Sequence, residues 1–242
     1  MAYQAIFKRY EMKYMLTRRQ ADRLLRVMAP YMALDQYGRT TICNLYFDTD
    51  SYRLIRRSLE KPAYKEKLRV RSYGTAKADS PVFVELKKKY EDVVYKRRVS
   101  LPNSEARAWL ERGETPESSG QIVREIDYVR GYYDHIRPVV FLSYEREAFY
   151  SKDGSDFRVT FDENILCRED HLTLTEGAWG ERLLPEGMVL MELKTPGGIP
   201  LWMTRFLSEN HIYKTSFSKY GTAYQNLIFP ERRGKEGVRK YA

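Results

Sequence analysis

Lys65, Lys67, Arg69 and Arg71 occupy every second position of the stretch Lys-Glu-Lys-Leu-Arg-Val-Arg. A strand has a side-chain period of two, so all four cations project from one face of a sheet. Cations held side by side repel one another, and a fold that lines them up has either solvent or a polyanion on that side. The pattern recurs along the chain. Glu85, Lys87 and Lys89 share a phase with Phe83, Lys96 shares one with Arg98, Arg146 falls mid-strand, Arg158 is in phase with Asp162, and Glu192 with Lys194. Arginine forks suit bidentate contact with phosphate oxygens, and lysine supplies point charge. The sparse acids Glu11, Glu85 and Glu192 are the hard oxygen donors that Mg²⁺ or Mn²⁺ prefers when it bridges to substrate phosphates.

Two arrangements satisfy this pattern. An antiparallel sheet with one wet face shows the same alternation of apolar and polar positions. Closing the strands into a barrel with the charged face inward would line a tunnel with cations, and such an interior requires a bound polyanion, water and some carboxylates. Composition leans toward the second, because a solvated face mixes Thr, Ser and Gln with Lys, whereas these faces carry Arg and Lys with few acids.

The chain of 242 residues, 43% of them hydrophobic, is large enough to build a core without staples. Its net charge of +9 favours an anionic partner. Cys43 and Cys167 lie in strand-like stretches without metal-ligand spacing and read as buried thiols in a reducing compartment. No apolar run has the ~20 residues of a membrane span and no signal-peptide region opens the chain, so the expected location is cytoplasmic. There is no Gly-x-x-x-x-Gly-Lys-Ser/Thr loop, no His-Glu-x-x-His and no Gly-x-Ser-x-Gly elbow. The three histidines, His135, His171 and His211, are scattered, which argues against a His-based triad. The 20 tyrosines are interleaved with basic residues, which leaves nucleic-acid binding open, but they mostly alternate onto the apolar side, where packing is the simpler reading and no nucleic acid is expected.

These faces need elements to hold them. Alternation predicts strands over residues 6–16, 40–48, 64–73, 81–90, 92–101, 138–150, 157–162 and 187–194, with a short one over 171–175. Thr17 is placed to cap a helix whose apolar positions are Ala21, Leu24, Leu25, Met28 and Met32, with Pro30 interrupting its last turn. Further helices are predicted over 103–112, 119–135, 201–209 and 218–228, with a short helix or turn over 51–60. The short polar links between 64 and 101 predict an antiparallel meander. No linker divides the chain, which predicts one catalytic domain over 1–229 and a basic, disordered tail over 230–242.

Nine stretches then occur in order: Arg9-Tyr-Glu-Met-Lys13-Tyr, Leu45-Tyr-Phe-Asp48, Leu68-Arg-Val-Arg71-Ser-Tyr-Gly74, Phe83-Val-Glu-Leu-Lys87, Lys96-Arg-Arg98, Tyr144-Glu-Arg146-Glu-Ala-Phe149, Arg158-Val-Thr-Phe-Asp162, Met191-Glu192-Leu-Lys194 and Phe217-Ser-Lys219-Tyr. This ordered set, over residues 6–228, resembles the catalytic domain of the vacuolar transporter chaperone (VTC) polyphosphate polymerases, in the CYTH or triphosphate tunnel metalloenzyme superfamily. The resemblance implies an α+β fold built on a closed, eight-stranded antiparallel β-barrel flanked by helices. It implies an enzyme that transfers the γ-phosphate of ATP to inorganic polyphosphate with Mn²⁺ or Mg²⁺. The alternatives are a triphosphatase acting on inorganic or nucleoside triphosphate and a non-catalytic polyphosphate-binding module. By the same resemblance Arg69, Arg71, Lys87, Lys96, Arg146 and Arg158 grip the reacting phosphates. Lys13, Arg98, Lys194, Lys214 and Lys219 add substrate contacts, Glu192 binds the metal, and Glu11 and Glu85 assist it. Ser216 stands where the fungal pattern has a basic residue, with Lys214 two positions earlier. Fungal relatives carry a phosphate-sensing domain and membrane segments that are not in this chain, which leaves room for a membrane-bound partner encoded elsewhere.

Overall fold

Thr17 both ends the first strand and starts the first helix. Its hydroxyl accepts the Gln20 N–H while the Gln20 side chain accepts the Thr17 N–H, so two orphan donors at the helix start are satisfied reciprocally. In the computed structural model, which describes residues 10–91, 93–117 and 120–230, this joins β1 (Tyr10–Thr17) to α1 (Arg18–Met28). The chain continues through β2 (Met32–Leu34), β3 (Thr40–Asp48), α2 (Arg53–Leu59), β4 (Tyr64–Tyr73), β5 (Pro81–Tyr90), β6 (Val93–Pro102), α3 (Asn103–Arg112) and α4 (Gln121–Tyr133). It ends with β7 (Arg137–Ser151), β8 (Arg158–Arg168), β9 (Glu181–Arg182), β10 (Met188–Thr195), α5 (Leu201–Glu209), β11 (Lys214–Thr215), α6 (Lys219–Ala223) and a π-helical turn, Tyr224–Ile228. The predicted strand residues 6–9, the predicted starts at Asp92 and Ser119, and the tail from 231 onward lie outside the described residues.

The strands form one eleven-stranded sheet in the order β11-β1-β10-β8-β7-β3-β4-β5-β6, with β2 on β7 and β9 on β8. This corrects the expectation of a closed, eight-stranded barrel. The path is open, ending at β6 and at the two-residue β11, and among the described residues these edges do not meet. Alternation assigns a face to each side chain, but closure depends on which edges pair, and the period of two carries no information about that. Charge also protects the β6 edge, which carries Lys96, Arg97 and Arg98 in succession. The predicted strand at residues 171–175 is irregular, and the first helix stops at Met28, before Pro30, so that Met32 falls in β2 instead of on the helix.

Two compact units divide the contacts. The first comprises Met1–Thr41, Tyr144–Ile165 and Leu184–Phe217, and its core packs Leu16, Leu24 and Met28 with Phe161, Met191, Leu193, Met203 and Phe206. The second comprises Ile42–Ser143, Leu166–Leu183 and Ser218–Ala242. There Leu45, Phe47, Leu68, Val84 and Leu86 of the meander pack against Trp109 of α3 and Ile126 of α4. In both units the strand residues among these alternate with polar or charged positions, and the helices supply the facing side chains. Cys43 and Cys167 are buried free thiols, and no helix among the described residues is long and apolar enough to cross a membrane.

Asp48, with no exposed surface, fixes how β3 turns into α2. Its carboxylate accepts the backbone N–H groups of Thr49, Leu54 and Ile55 at 2.8–3.0 Å and the Tyr220 hydroxyl at 2.9 Å. Tyr52, at the left-handed φ of 56°, supplies no cap of its own, so Asp48 satisfies the first turn of α2 in its place. Asp48→Ala removes the acceptor for four buried donors, and urea denaturation should show a loss of roughly 3–5 kcal/mol. Tyr220→Phe, which removes one of the four, should cost about 1 kcal/mol.

Candidate functional site

Each unit brings together one cluster of the charged residues. In the second unit, register places Asn44 and Tyr46 of β3 beside Arg71 and Arg69 of β4, Arg69 beside Glu85 of β5, and Glu85 beside Arg98 of β6. Glu85 is 1% exposed. Its Oε2 accepts from Arg69 Nε at 2.8 Å and lies 2.7 Å from Arg69 Nη2, with Arg71 Nε 3.9 Å away. Its Oε1 accepts from Arg98 Nε at 2.7 Å and pairs with Lys96 Nζ at 2.9 Å. Burial opposes ionisation of Glu85, but Arg69, Arg71 and Lys96 together outweigh it and hold the carboxyl well below the usual range. One carboxylate thus gathers four cations.

The neighbours of these cations are placed as closely as the cations. Arg71 Nε donates to Asn44 Oδ1 at 2.9 Å, Arg69 Nη1 donates to the Tyr46 hydroxyl at 3.0 Å, and the Arg98 guanidinium lies 4.4 Å from the centre of the Phe83 ring. Asn44 belongs to none of the nine stretches, and Tyr46 enters only within Leu45-Tyr-Phe-Asp48 without a role, because residues 40–48 read simply as β-forming. The signal that could have found them is their alternation with apolar Cys43, Leu45 and Phe47. Lys87 is exposed, in register between Lys67 and Lys96.

The cluster of the first unit is built differently. Register sets Lys13 beside Glu192, Glu11 beside Lys194, and Glu192 beside Thr160. Lys13 Nζ and Arg146 Nη2 each lie 3.5 Å from the Glu192 carboxylate, and Lys194 Nζ lies 3.7 Å away. Lys13 also approaches Glu11 at 3.7 Å and donates to the Phe217 carbonyl at 2.8 Å. Arg146 makes a two-pronged pair with the buried Asp162 at 2.5 and 2.6 Å. Burial lowers the basicity of both Arg146 and Lys194. Tyr144, Asp162 and Glu192 more than restore it for Arg146, whereas Lys194 stays below its ordinary value despite Glu192. Three cations here face three carboxylates, in contrast to four against one around Glu85. Asp162 was read only as being in phase with Arg158, and its pairing with Arg146 was missed.

Besides Lys87, three predicted cations are not gathered into these clusters. Arg158 is 57% exposed and pairs with Asp156 at 3.4 Å. Lys214 is in register with Tyr14, one residue along from Lys13, so it is on the face opposite Lys13 and Glu192. Lys219 opens α6. The exposed Lys214 therefore does not supply the charge absent at Ser216 to the Lys13 face.

A divalent cation can be tested against these donors. Among the described residues no group of three or more His, Cys, Asp or Glu is disposed to hold a metal. Both Glu85 oxygens are engaged by cations at 2.7–2.9 Å, whereas the cations around Glu192 lie 3.5–3.7 Å away. Glu192 and Glu11 remain, with the buried Thr160 hydroxyl, which has no hydrogen-bond partner, in register with Glu192. One or two carboxylates with few other protein oxygens suit Mg²⁺ or Mn²⁺ when substrate phosphates and water complete the shell, so these residues fit such an ion.

Glu85→Gln leaves four cations without their counter-charge and should destabilise the protein by about 3–5 kcal/mol in a urea titration. Because the folded carboxyl titrates below its ordinary value of 4.5, its contribution is complete above that pH and disappears as pH falls through the folded value. Lys96 gives a separate handle. Burial outweighs the attraction of Glu85 and brings its ammonium down to about 8, although the side chain is 46% exposed. The charged form predominates below that pH. Tripolyphosphate affinity, followed by calorimetry, should therefore fall as pH rises through about 8, with proton uptake on binding, and Lys96→Arg should flatten the profile.

Comparison with known proteins follows the same lines. Similar solved structures include a candidate adenylate cyclase from Bacillus halodurans, 16% identical over 89% of this chain and 96% of that one, with a TM-score of 0.55. A second candidate adenylate cyclase, from Vibrio parahaemolyticus, is 11% identical over 89% and 97%, with a TM-score of 0.51. A candidate adenylyl cyclase from Hippeastrum, described as having a dominant triphosphatase activity, is 16% identical over 89% and 94%, also with a TM-score of 0.51. At such identities the likeness is one of fold. The family model of the VTC domain matches residues 8–228, and this chain belongs to the VTC domain family.

Proposed function

We propose that the chain is a metal-dependent polyphosphate polymerase that transfers the γ-phosphoryl group of ATP to the end of an inorganic polyphosphate chain. The observation that carries this reading is the gathering of Arg69, Arg71, Lys96 and Arg98 on the single carboxylate of Glu85 in a VTC-family chain. Among the described residues four cations gather on this one acid, an arrangement that favours an anionic ligand. Guanidinium forks held by Asn44 and Tyr46 match the oxygens of a phosphate chain.

Phosphoryl transfer asks for positioning and charge neutralisation rather than a protein nucleophile. A terminal oxygen of the acceptor phosphate forms a bond to the γ-phosphorus as the bond from that phosphorus to the β–γ bridging oxygen breaks, and ADP leaves with that oxygen. The attacking oxygen is already deprotonated, so no general base is required. Arg69, Arg71, Lys96 and Arg98 hold phosphate oxygens and stabilise the charge that moves onto the leaving group. Lys13, Arg146 and Lys194 are the candidate phosphate contacts of the first unit, and Lys87, Arg158, Lys214 and Lys219 are further cations of the proposed set. Glu192, assisted by Glu11, would hold Mn²⁺ or Mg²⁺, which supplies further neutralisation of phosphate charge when bound. The reaction uses ATP and polyphosphate as partners, with no nucleic acid, and belongs in the cytoplasm.

A second reading has one observation in its favour, the triphosphatase activity ascribed to the Hippeastrum protein of similar fold. With water in place of the chain terminus the same cations would serve hydrolysis. Purified protein given ATP and Mn²⁺ should yield ADP and long polyphosphate on a gel. Short, soluble phosphate alone would overturn the polymerase in favour of the hydrolase. Arg69→Ala should lower kcat/KM by about 10²–10³-fold, and Glu192→Ala should abolish metal-dependent turnover while the protein remains folded.

A further inference from the structure

In the first unit α1 and α5 lie side by side and antiparallel. Gln20 Nε2, near the start of α1, donates at 3.3 Å to the carbonyl of Asn210, just past the end of α5. Tyr31, just past the end of α1, stacks on Trp202 at the start of α5, with ring centres 4.8 Å apart and planes 3° from parallel. Ala21, Leu24 and Met28 of α1 and Met203, Phe206 and Leu207 of α5 are buried. Helical spacing puts Arg19, Arg23 and Arg26 on the opposite side of α1, and Leu201, Arg205 and Ser208 on the opposite side of α5, and all six are exposed.

These arginines do not serve the helix. The first turn of α1 has no acid, and Arg19 lies there, where the positive end of the helix dipole disfavours a cation. Arg19, Arg23 and Arg26 are four and three residues apart, so they repel one another along one face. Arg18, on the flank, is answered by Asp22 at 2.8 Å and by Glu163. Among the described residues no acid pairs with Arg19, Arg23, Arg26 or Arg205, although Glu209 is exposed at the end of α5. Apolar surface accompanies the charge. Val27, Tyr31 and Leu201 are 38%, 44% and 83% exposed, Val27 one turn before Tyr31 and Leu201 next to Trp202. Lys152 adds a cation at that end, its Nζ donating to the Ala29 carbonyl at 2.7 Å.

We propose that the α1–α5 face is a peripheral docking surface for a membrane with anionic phospholipid headgroups. The inference is independent of the phosphoryl-transfer chemistry proposed above. Charge calls for an anionic occupant, and a second copy carries the same net +9. The ends of the sequence are basic too, with Lys8 and Arg9 and no acid in residues 1–9, and five Lys or Arg against two Glu in residues 231–242. A nucleic acid offers phosphates but nothing apolar for Leu201 and Val27, and Tyr31 and Trp202 already turn ring faces to each other. An anionic bilayer meets both halves of the surface. Its phosphates answer the arginine row, while the protruding Leu, Val and Tyr enter the boundary between headgroups and acyl chains, where Trp and Tyr are favoured.

The test is co-sedimentation of the full chain with vesicles of phosphatidylcholine alone and of phosphatidylcholine mixed with phosphatidylglycerol. Binding should be confined largely to the anionic vesicles and should weaken as salt rises. Arg19→Gln/Arg23→Gln/Arg26→Gln should bind them about 30–100-fold more weakly, and Leu201→Ser roughly fivefold more weakly. Lys65→Gln/Lys87→Gln/Lys89→Gln removes equal charge from the sheet face of the second unit and should stay within about threefold of the parent. The arginine variant should melt no lower than the parent, because cations disfavoured by the dipole and by one another have gone. Equal binding to both kinds of vesicle, equal losses in the two triple variants, or full binding by the arginine variant would overturn the proposal. Binding that needs the arginines but is unaffected by Leu201→Ser would overturn it in favour of an acidic protein surface. A duplex DNA held more tightly than the anionic vesicles through the same arginines would overturn it in favour of nucleic acid.

Discussion

A carboxylate surrounded on every side by cations governs the meander of the second unit. Burying Glu85 alone would cost several kcal/mol, and collecting Arg69, Arg71, Lys96 and Arg98 on one sheet face would be opposed by their mutual repulsion. Each cost offsets the other. Because Glu85 lies in register between Arg69 on β4 and Arg98 on β6, the pairing also fixes register. A one-residue slip of β5 would send Glu85 and Lys87 into the space now filled by Val84 and Leu86, which are fully buried. The apolar core beneath and the cationic face above are consequences of the same alignment.

In the first unit the balance is different, and the difference divides the chemistry. Arg146 directs two donors at Asp162, so much of its charge is already answered by a buried acid. Lys13 and Lys194 flank Glu192, which lies on the same face as Glu11 and Thr160. A neutral group of oxygens and cations attracts a free anion weakly, but it accommodates a divalent ion that arrives with an anion. The cation excess around Glu85 has the opposite preference. The two clusters therefore differ in the charge they leave unanswered, a division that charge alternation along single strands does not express.

Periodicity was sufficient for strands that keep one apolar and one charged face throughout, and it fell short at β8, which runs on past Asp162 to Arg168. Residues 64–73 and 81–90 were delimited as observed, and the Thr17 cap was legible from Thr-x-x-Gln. What escaped depends on distant partners. β2, β9 and β11 have two or three residues each and exist only through pairing with longer strands. Residues 171–175 alternate like a strand, yet buried Arg168 donates to the carbonyls of His171, Thr173, Gly177 and Trp179, with its guanidinium 3.6 Å from the centre of the Phe141 ring. That guanidinium takes the acceptors a sheet neighbour would otherwise have used, and the loop wraps around it. Barrel closure was misjudged for a related reason, since the charge pattern is a property of faces and closure is a property of edges.

The end of the described chain shows how such distant partners reach the candidate site. Ser218 caps α6 and accepts from Lys67, and Tyr220 donates to Asp48 while its ring lies 4.8 Å from that of Tyr46. Tyr46 in turn accepts from Arg69. The helix can sit this closely because residue 221 is glycine. A Cβ there would come within 3.1 Å of Leu59 in α2 and of Ser218. Two cations on β4 are thus oriented by a five-residue helix some 150 residues later. The alignment of Glu85 between β4 and β6 sets where the cations are, and α6 limits where Lys67 and Arg69 can point. A short helix in the second unit is therefore part of the cationic face, even though it contributes only Lys219 to the charge.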